Sequence, residues 1–188
     1  MKNKKESFRI KRTTYNRLDA YSIEGNAIII DGDKEDVEKI TLFEFPEGPE
    51  IVKGNFENFE SLEAIILSST IKTILNANLF KNSSINSIDM SKSKIENIDS
   101  GLFTDMLNIE EIKLPEAVKN IGSAFNGSGI ESIYIPHTVE YVVPKAFDNC
   151  PFLQTIYTDD KQKLIYMLEE SLIDKLDRLK IKIIEKEH

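Results

Sequence analysis

Apolar residues recur along this chain in the order apolar-x-x-apolar-x-apolar: Leu62, Ile65, Leu67; Ile85, Ile88, Met90; Ile109, Ile112, Leu114; Ile130, Ile133, Ile135; and, as a partial set, Leu153 and Ile156. That spacing predicts short strands with one face buried. A second apolar pair follows in each complete unit: Ile71 with Ile74, Ile95 with Ile98, Val118 with Ile121, Val139 with Val142. Each unit is announced by a phenylalanine, at Phe56, Phe80, Phe103, Phe125 and Phe147, five or six residues ahead of the first strand residue. Two positions after each phenylalanine stand Asn58, Asn82, Asp105, Gly127 and Asn149, the residue types that best tolerate a left-handed backbone. This column predicts the stop of a one-turn helix at each corner, with positive φ at most of the five positions.

A unit with two inward edges and a corner cannot enclose a core alone, whereas five stacked units share one. The period of 22 to 24 residues falls in the range of leucine-rich repeats. The segments Leu114-Pro115-Glu116-Ala117-Val118-Lys119-Asn120-Ile121-Gly122-Ser123-Ala124-Phe125 and Ile133-Tyr134-Ile135-Pro136-His137-Thr138-Val139, the latter running on to Ala146-Phe147-Asp148-Asn149-Cys150, resemble the BspA-type leucine-rich repeat. The resemblance covers about residues 37 to 160. Asn78-Leu79-Phe80 and Gly101-Leu102-Phe103 replace its Ala-Phe, and prolines are missing after Leu67 and Met90. It implies binding, often at bacterial or protist surfaces, and no common catalytic centre.

The expected fold is an α/β leucine-rich-repeat solenoid of about five repeats with short parallel strands. At the N-terminal end, Ser22–Ile30 has a Gly25-Asn26 turn between two apolar stretches, which predicts a hairpin. Asp31-Gly32-Asp33 predicts a further turn, and 37–45 an irregular first rung that closes the core. At the other end Leu164, Leu168, Leu172 and Leu176 recur every four residues behind Asp159-Asp160, predicting a capping helix of four to five turns. Leu179–Ile183 then alternates as a strand. The division that follows is a basic, poorly ordered arm at 1–17, the solenoid at 18–160 and a cap at 161–188 within the same domain.

Composition narrows the function. With 40% hydrophobic and 30% charged residues the 188-residue chain is of globular type, and no apolar run is long enough to cross a membrane. Residues 1–17 carry +6, so with a net charge of −8 the remainder carries −14, which repels nucleic acid. The basic start lacks a following apolar stretch, so the expected location is cytoplasmic, against the cell-surface or secreted location that the resemblance suggests.

Catalytic material is sparse. His137 and His188 are the only histidines, too few for a histidine-based triad or zinc site. Cys150 falls in a column with Phe59 and Met106, an apolar packing column. Asp31, Asp33, Asp159 and Asp160 lack the further spaced oxygens of a calcium loop. The Asn-x-Ser patterns at Asn82 and Asn126 sit in corner turns, where backbone needs explain them. A carboxylate-pair hydrolase is the minor alternative. No cofactor or metal is called for. What remains is a surface: in the strand phase, Ile66, Asp89, Lys113, Tyr134 and Tyr157 point outward, one per rung, beside the mostly small Ala64, Ser87, Glu111, Ser132 and Thr155. The expectation is a noncatalytic module that docks an unidentified protein across this face, the alternative being a structural or adhesive part of a surface assembly. The competing reading of this face is a structural ladder, with Tyr134 and Tyr157 stacking on each other and Asp89 paired with Lys113 along the sheet.

Overall fold

The computed structural model describes residues 20–31, 37–80, 83–168, 173, 176–177 and 179–186. The arm at 1–17, Gly32 and Asp33 of the predicted turn, Asn82 of the corner column, and Leu172 and His188 lie outside the described residues.

The chain coils as a solenoid. A hairpin of β1 (Tyr21–Glu24) and β2 (Ala27–Ile30) opens it, followed by a 3₁₀ turn at Val37–Lys39. The rungs then alternate a first strand, β3 (Leu42–Glu44), β5 (Ala64–Ile66), β7 (Ser87–Asp89), β9 (Glu111–Lys113), β11 (Ser132–Ile135) and β13 (Thr155–Thr158), with a second, β4 (Ile51–Gly54), β6 (Thr73–Ile74), β8 (Asn97–Ile98), β10 (Asn120–Ile121) and β12 (Tyr141–Val142). Helix α1 (Lys161–Met167) and strand β14 (Lys182–Glu185) close the other end. Among these pairs only β1–β2 is antiparallel; all others are parallel.

Gly25, at φ +61°, and Asn26 turn the opening hairpin as the dipeptide predicts. β2 then pairs with β4, so the hairpin extends the second-strand side of the coil. The irregular rung contributes β3 to the first-strand side and a plug of rings to the core. Phe43 meets Phe45, Phe56 and Phe59 edge to face with centroids 5.0, 5.1 and 6.2 Å apart.

The five repeated phenylalanines form one ladder. Their rings stack from Phe56 through Phe80, Phe103 and Phe125 to Phe147 at 6.1, 5.9, 5.1 and 5.4 Å, and all are buried. Offset stacking at such separations adds roughly 0.5–1.5 kcal/mol per pair beyond area burial. Every predicted first-strand residue is buried; of the second pairs only Ile74 remains partly exposed, packed against the core. Cys150 is buried with its thiol donating to the Phe125 carbonyl at 3.0 Å, in agreement with its place in the packing column.

Two expectations are corrected. The corners are hydrogen-bonded turns rather than one-turn helices: the amides of Phe59 and Ser128 donate to Phe56 and Phe125 at 3.1 and 2.9 Å, and turns this short hold too few residues to propagate a helix. Instead the corners bond from rung to rung, as when Phe103, Phe125 and Gly127 donate to Ala124, Ala146 and Asp148 at 2.9, 3.1 and 2.8 Å. In the corner column the expected conformation holds: Asp105, Gly127 and Asn149 have positive φ (58°, 73° and 55°), and among the described positions of the column only Asn58 does not. The cap helix is also shorter than four turns. Asp160 caps it, accepting from the Lys163 amide at 2.8 Å, but Leu168 leaves the helix in extended conformation. Leu164, Leu168 and Leu176 are all buried regardless, so covering the end of the core does not require the helix to continue unbroken. β14 adds to the first-strand side beside β13, so the predicted strand exists but begins three residues later than expected, Leu179 and Lys180 forming a turn ahead of it.

Candidate functional site

Because side chains alternate across a strand, the residue between two inward positions points away from the core at every rung. Register places Glu44, Ile66, Asp89 and Lys113 opposite one another across β3-β5-β7-β9. It places Tyr134, Tyr157 and Ile184 opposite one another across β11-β13-β14. The five predicted residues therefore lie at outward positions on successive rungs, with Glu44 and Ile184 at the same position on the rungs beyond them. Seven rungs at about 4.8 Å make a face roughly 29 Å long.

The column falls into two groups. No strand pairing joins β9 to β11, so Ile66, Asp89 and Lys113 belong to one ladder and the two tyrosines to another. In the first, Asp89 accepts from the Ser91 hydroxyl and amide at 2.6 and 3.0 Å, and Lys113 lies 3.4 Å from its second oxygen. Burial raises the Asp89 carboxyl, but the hydrogen bonds from Ser91 and the charge of Lys113 outweigh it, leaving a net downward shift. Burial lowers Lys113, and Glu111 (3.6 Å away) and Asp89 more than reverse it. A half-exposed pair of this kind is worth roughly 0.2–1 kcal/mol. Asp89 and Lys113 thus make the ion pair along the sheet that competes with a docking role.

In the second group Tyr134 donates its hydroxyl to Asp159, just past the end of β13. Burial pushes the Tyr134 phenol up, and the hydrogen bond to the Asp159 carboxylate adds to the shift. His137 Nδ1 lies 3.4 Å from the same Asp159 oxygen, and Lys163 on α1 donates to the His137 carbonyl. Lys186, following β14, places its ammonium 5.0 Å from the Tyr134 ring centre and 4.9 Å from that of Tyr157, distances suited to cation–π attraction. These partners were missed because they come from residues 22 to 52 positions away. Only the strand alternation near residue 181 hinted at a further rung.

Helix α1 has seven residues and is far too short to cross a membrane, and no other helix among the described residues is long and apolar enough. Among the same residues no three of His, Cys, Asp and Glu gather as metal ligands. Asp159 is occupied with Tyr134 and His137, and Asp160 with the helix cap.

A parallel coil with one hydrogen-bonded strand edge on each side, a stacked ring ladder and turn-stopped corners defines a leucine-rich-repeat solenoid. The chain belongs to the BspA type leucine rich repeat region family, which matches it in six copies over residues 35–154. That span takes in the β3 rung, one more unit than the ring column alone marks. No curated protein matches the chain significantly. Among solved structures it is similar to a leucine rich cell surface protein from Faecalibacterium prausnitzii A2-165, with TM-score 0.59 and 18% identity over 78% of this chain and 40% of that one. It is also similar to a leucine-rich repeat protein from Eubacterium ventriosum ATCC 27560, with TM-score 0.53 and 18% identity over 73% of this chain and 40% of that one. The chain thus spans about two fifths of each. The family's repeats generally serve protein binding or surface association.

Proposed function

We propose that this chain is a noncatalytic protein-interaction module whose partner docks across the strand face around Tyr134 and Tyr157. The observation that carries the reading is the outward column itself, in which two adjacent half-buried tyrosines lie on consecutive rungs beside the smaller Ser132 and Thr155. Tyrosine gives amphipathic contact area at low entropic cost and is enriched at binding hot spots. Lys186 belongs to the same surface, since its charge already rests on both rings. Asp89 and Lys113 set the register of a long partner rather than supply most of the affinity, and Ile66 extends the contact beside them.

The test begins with a partner recovered by pull-down and mass spectrometry from the native organism. Tyr157→Ala and Tyr134→Ala are then compared for affinity and melting temperature, with Tyr134→Phe included to keep the ring while removing the Asp159 bond. Each alanine variant is expected to lose about 2 kcal/mol of binding, roughly thirtyfold. Unchanged affinity in both alanine variants, with the fold intact, overturns the assignment of the face.

A second reading places the module at a cell surface. The description of the Faecalibacterium neighbour as a cell surface protein favours it, as does the resemblance of the repeats. Protease accessibility on intact native cells decides: cleavage of this protein without lysis supports surface exposure, and protection until lysis supports an internal location.

A further inference from the structure

The spacing from each ladder ring to the next inward residue alternates along the coil. It is six residues from Phe56 to Leu62, Phe103 to Ile109 and Phe147 to Leu153, but five from Phe80 to Ile85 and Phe125 to Ile130. The longer corners carry an additional two-residue turn, at 107–108 and 151–152, which the shorter corner between them lacks. A side chain at the tip of such a turn has no rung beside it to cover it. Leu107 and Phe152 therefore stand out from the corner, 62% and 53% exposed.

Between these two apolar posts the short corner forms a floor. The Gly129 amide donates to the Met106 carbonyl at 3.0 Å, and a Cβ at Gly129 would lie 2.0 Å from the Leu107 carbonyl oxygen. Only glycine lets the backbone sit this close, and the result is a groove of about 590 Å³ whose lining also includes Glu110, Glu131 and Asn86. That volume lies in the range of ordinary ligand clefts.

The groove opens where the first-strand ladder lapses. At neighbouring rungs Asn86, Glu110 and Gln154 donate to the carbonyls of Glu63, Asn86 and Glu131 at 2.9, 2.8 and 2.9 Å, whereas among the described residues no corresponding bond runs from Glu131 to Glu110. Backbone groups in such a gap need other hydrogen-bonding partners, and an extended peptide carries them on its own main chain. The charge of the lining is one-sided: its ionisable side chains are the exposed carboxylates of Glu110 and Glu131.

We propose that this groove is a docking site for an extended basic peptide segment, which seats one apolar side chain between Leu107 and Phe152 and sets lysine or arginine against Glu110 and Glu131. The site is separate from the tyrosine column and does not depend on the docking role proposed for it.

The probe is a fluorescein-labelled peptide, KRKLKRK, titrated against the full chain at low salt and followed by anisotropy and by backbone amide shifts. Two controls replace its leucine by serine or its cations by Glu and Asp. Expected are saturable binding, shifts centred on Leu107, Gly129 and Glu131, at least tenfold weaker binding of the serine peptide, and none by the acidic peptide. Leu107→Ser and Phe152→Ser should each weaken the probe about tenfold without changing the melting temperature, since both side chains are exposed. Glu110→Gln with Glu131→Gln should flatten the salt dependence. Equal binding of the leucine and serine peptides, shifts scattered over the acidic surface, or no saturable binding overturns the proposal. So does a dimer of the chain that Phe152→Ser dissociates, which would make a second copy the occupant.

Discussion

Replacing Phe125 with alanine removes a ring that is stacked on both faces within the ladder. Its side chain is completely buried, with Phe103 at 5.1 Å and Phe147 at 5.4 Å on its two faces, both nearly parallel to it. Truncation of a buried phenylalanine costs about 3–5 kcal/mol, with the larger values where the surroundings cannot collapse into the space. Collapse is restricted here, because the corner backbone on which Phe125 sits is bonded to the next rung at Ala146 and Asp148. We therefore expect about 4 kcal/mol, a large part of the 5–15 kcal/mol that holds an ordinary domain together. Urea unfolding followed by far-ultraviolet circular dichroism measures it: with a slope of about 2 kcal/mol per molar, the midpoint should fall by about 2 M. A double-mutant cycle adds the test of stacking itself. Phe103→Leu and Phe125→Leu should couple by about 0.5–1.5 kcal/mol, while Phe56→Leu and Phe147→Leu, separated by three intervening rings, should be additive. A loss under about 1 kcal/mol for Phe125→Ala, or equal coupling in both pairs, would refute the ladder as the structural spine.

Gly129→Ala should cost about 1–3 kcal/mol in the same unfolding assay, since the new methyl meets the Leu107 carbonyl oxygen at 2.0 Å and one corner must shift. Asp89 has its pKa lowered by folding, so the stability it contributes is present above the unfolded carboxyl value of about 3.9 and is lost as pH falls through the lower folded value; Asp89→Asn should remove that part of the acid dependence, as read from melting temperatures between pH 6 and 2. Tyr134 has its pKa raised by folding, so its contribution is full below the unfolded phenol value of about 10 and declines as the unfolded chain ionises above it. Absorbance at alkaline pH should show one tyrosine titrating late, and Tyr134→Phe should abolish that late step.

The repeat was legible in the sequence because inward and outward positions are decided locally. Alternation along a strand puts Ile65, Ile88, Ile112, Ile133 and Ile156 on the core side whatever the neighbouring rung does, and stacking identical units brings Phe56 to Phe147 into one column. The outward phase of Ile66, Asp89, Lys113, Tyr134 and Tyr157 came from the same rule. Asp105, Gly127 and Asn149 show that backbone strain was written there too, in residue types that accept positive φ. Tertiary structure decided what depends on residues far apart in the chain. Lys186 reaches the tyrosine rings only because β14 returns beside β13, and Tyr134 finds Asp159 because two successive rungs end side by side. The leucine spacing after Asp160 promised a long helix, yet the helix breaks at Leu168 after seven residues, and Leu176, in helical conformation again beyond the break, is buried along with Leu164 and Leu168, since burial rewards position rather than helical continuity. The alternation of five and six residues was visible as numbers, but the exposed posts at Leu107 and Phe152 and the gap between β9 and β11 arise only when corners of unequal length are stacked in space.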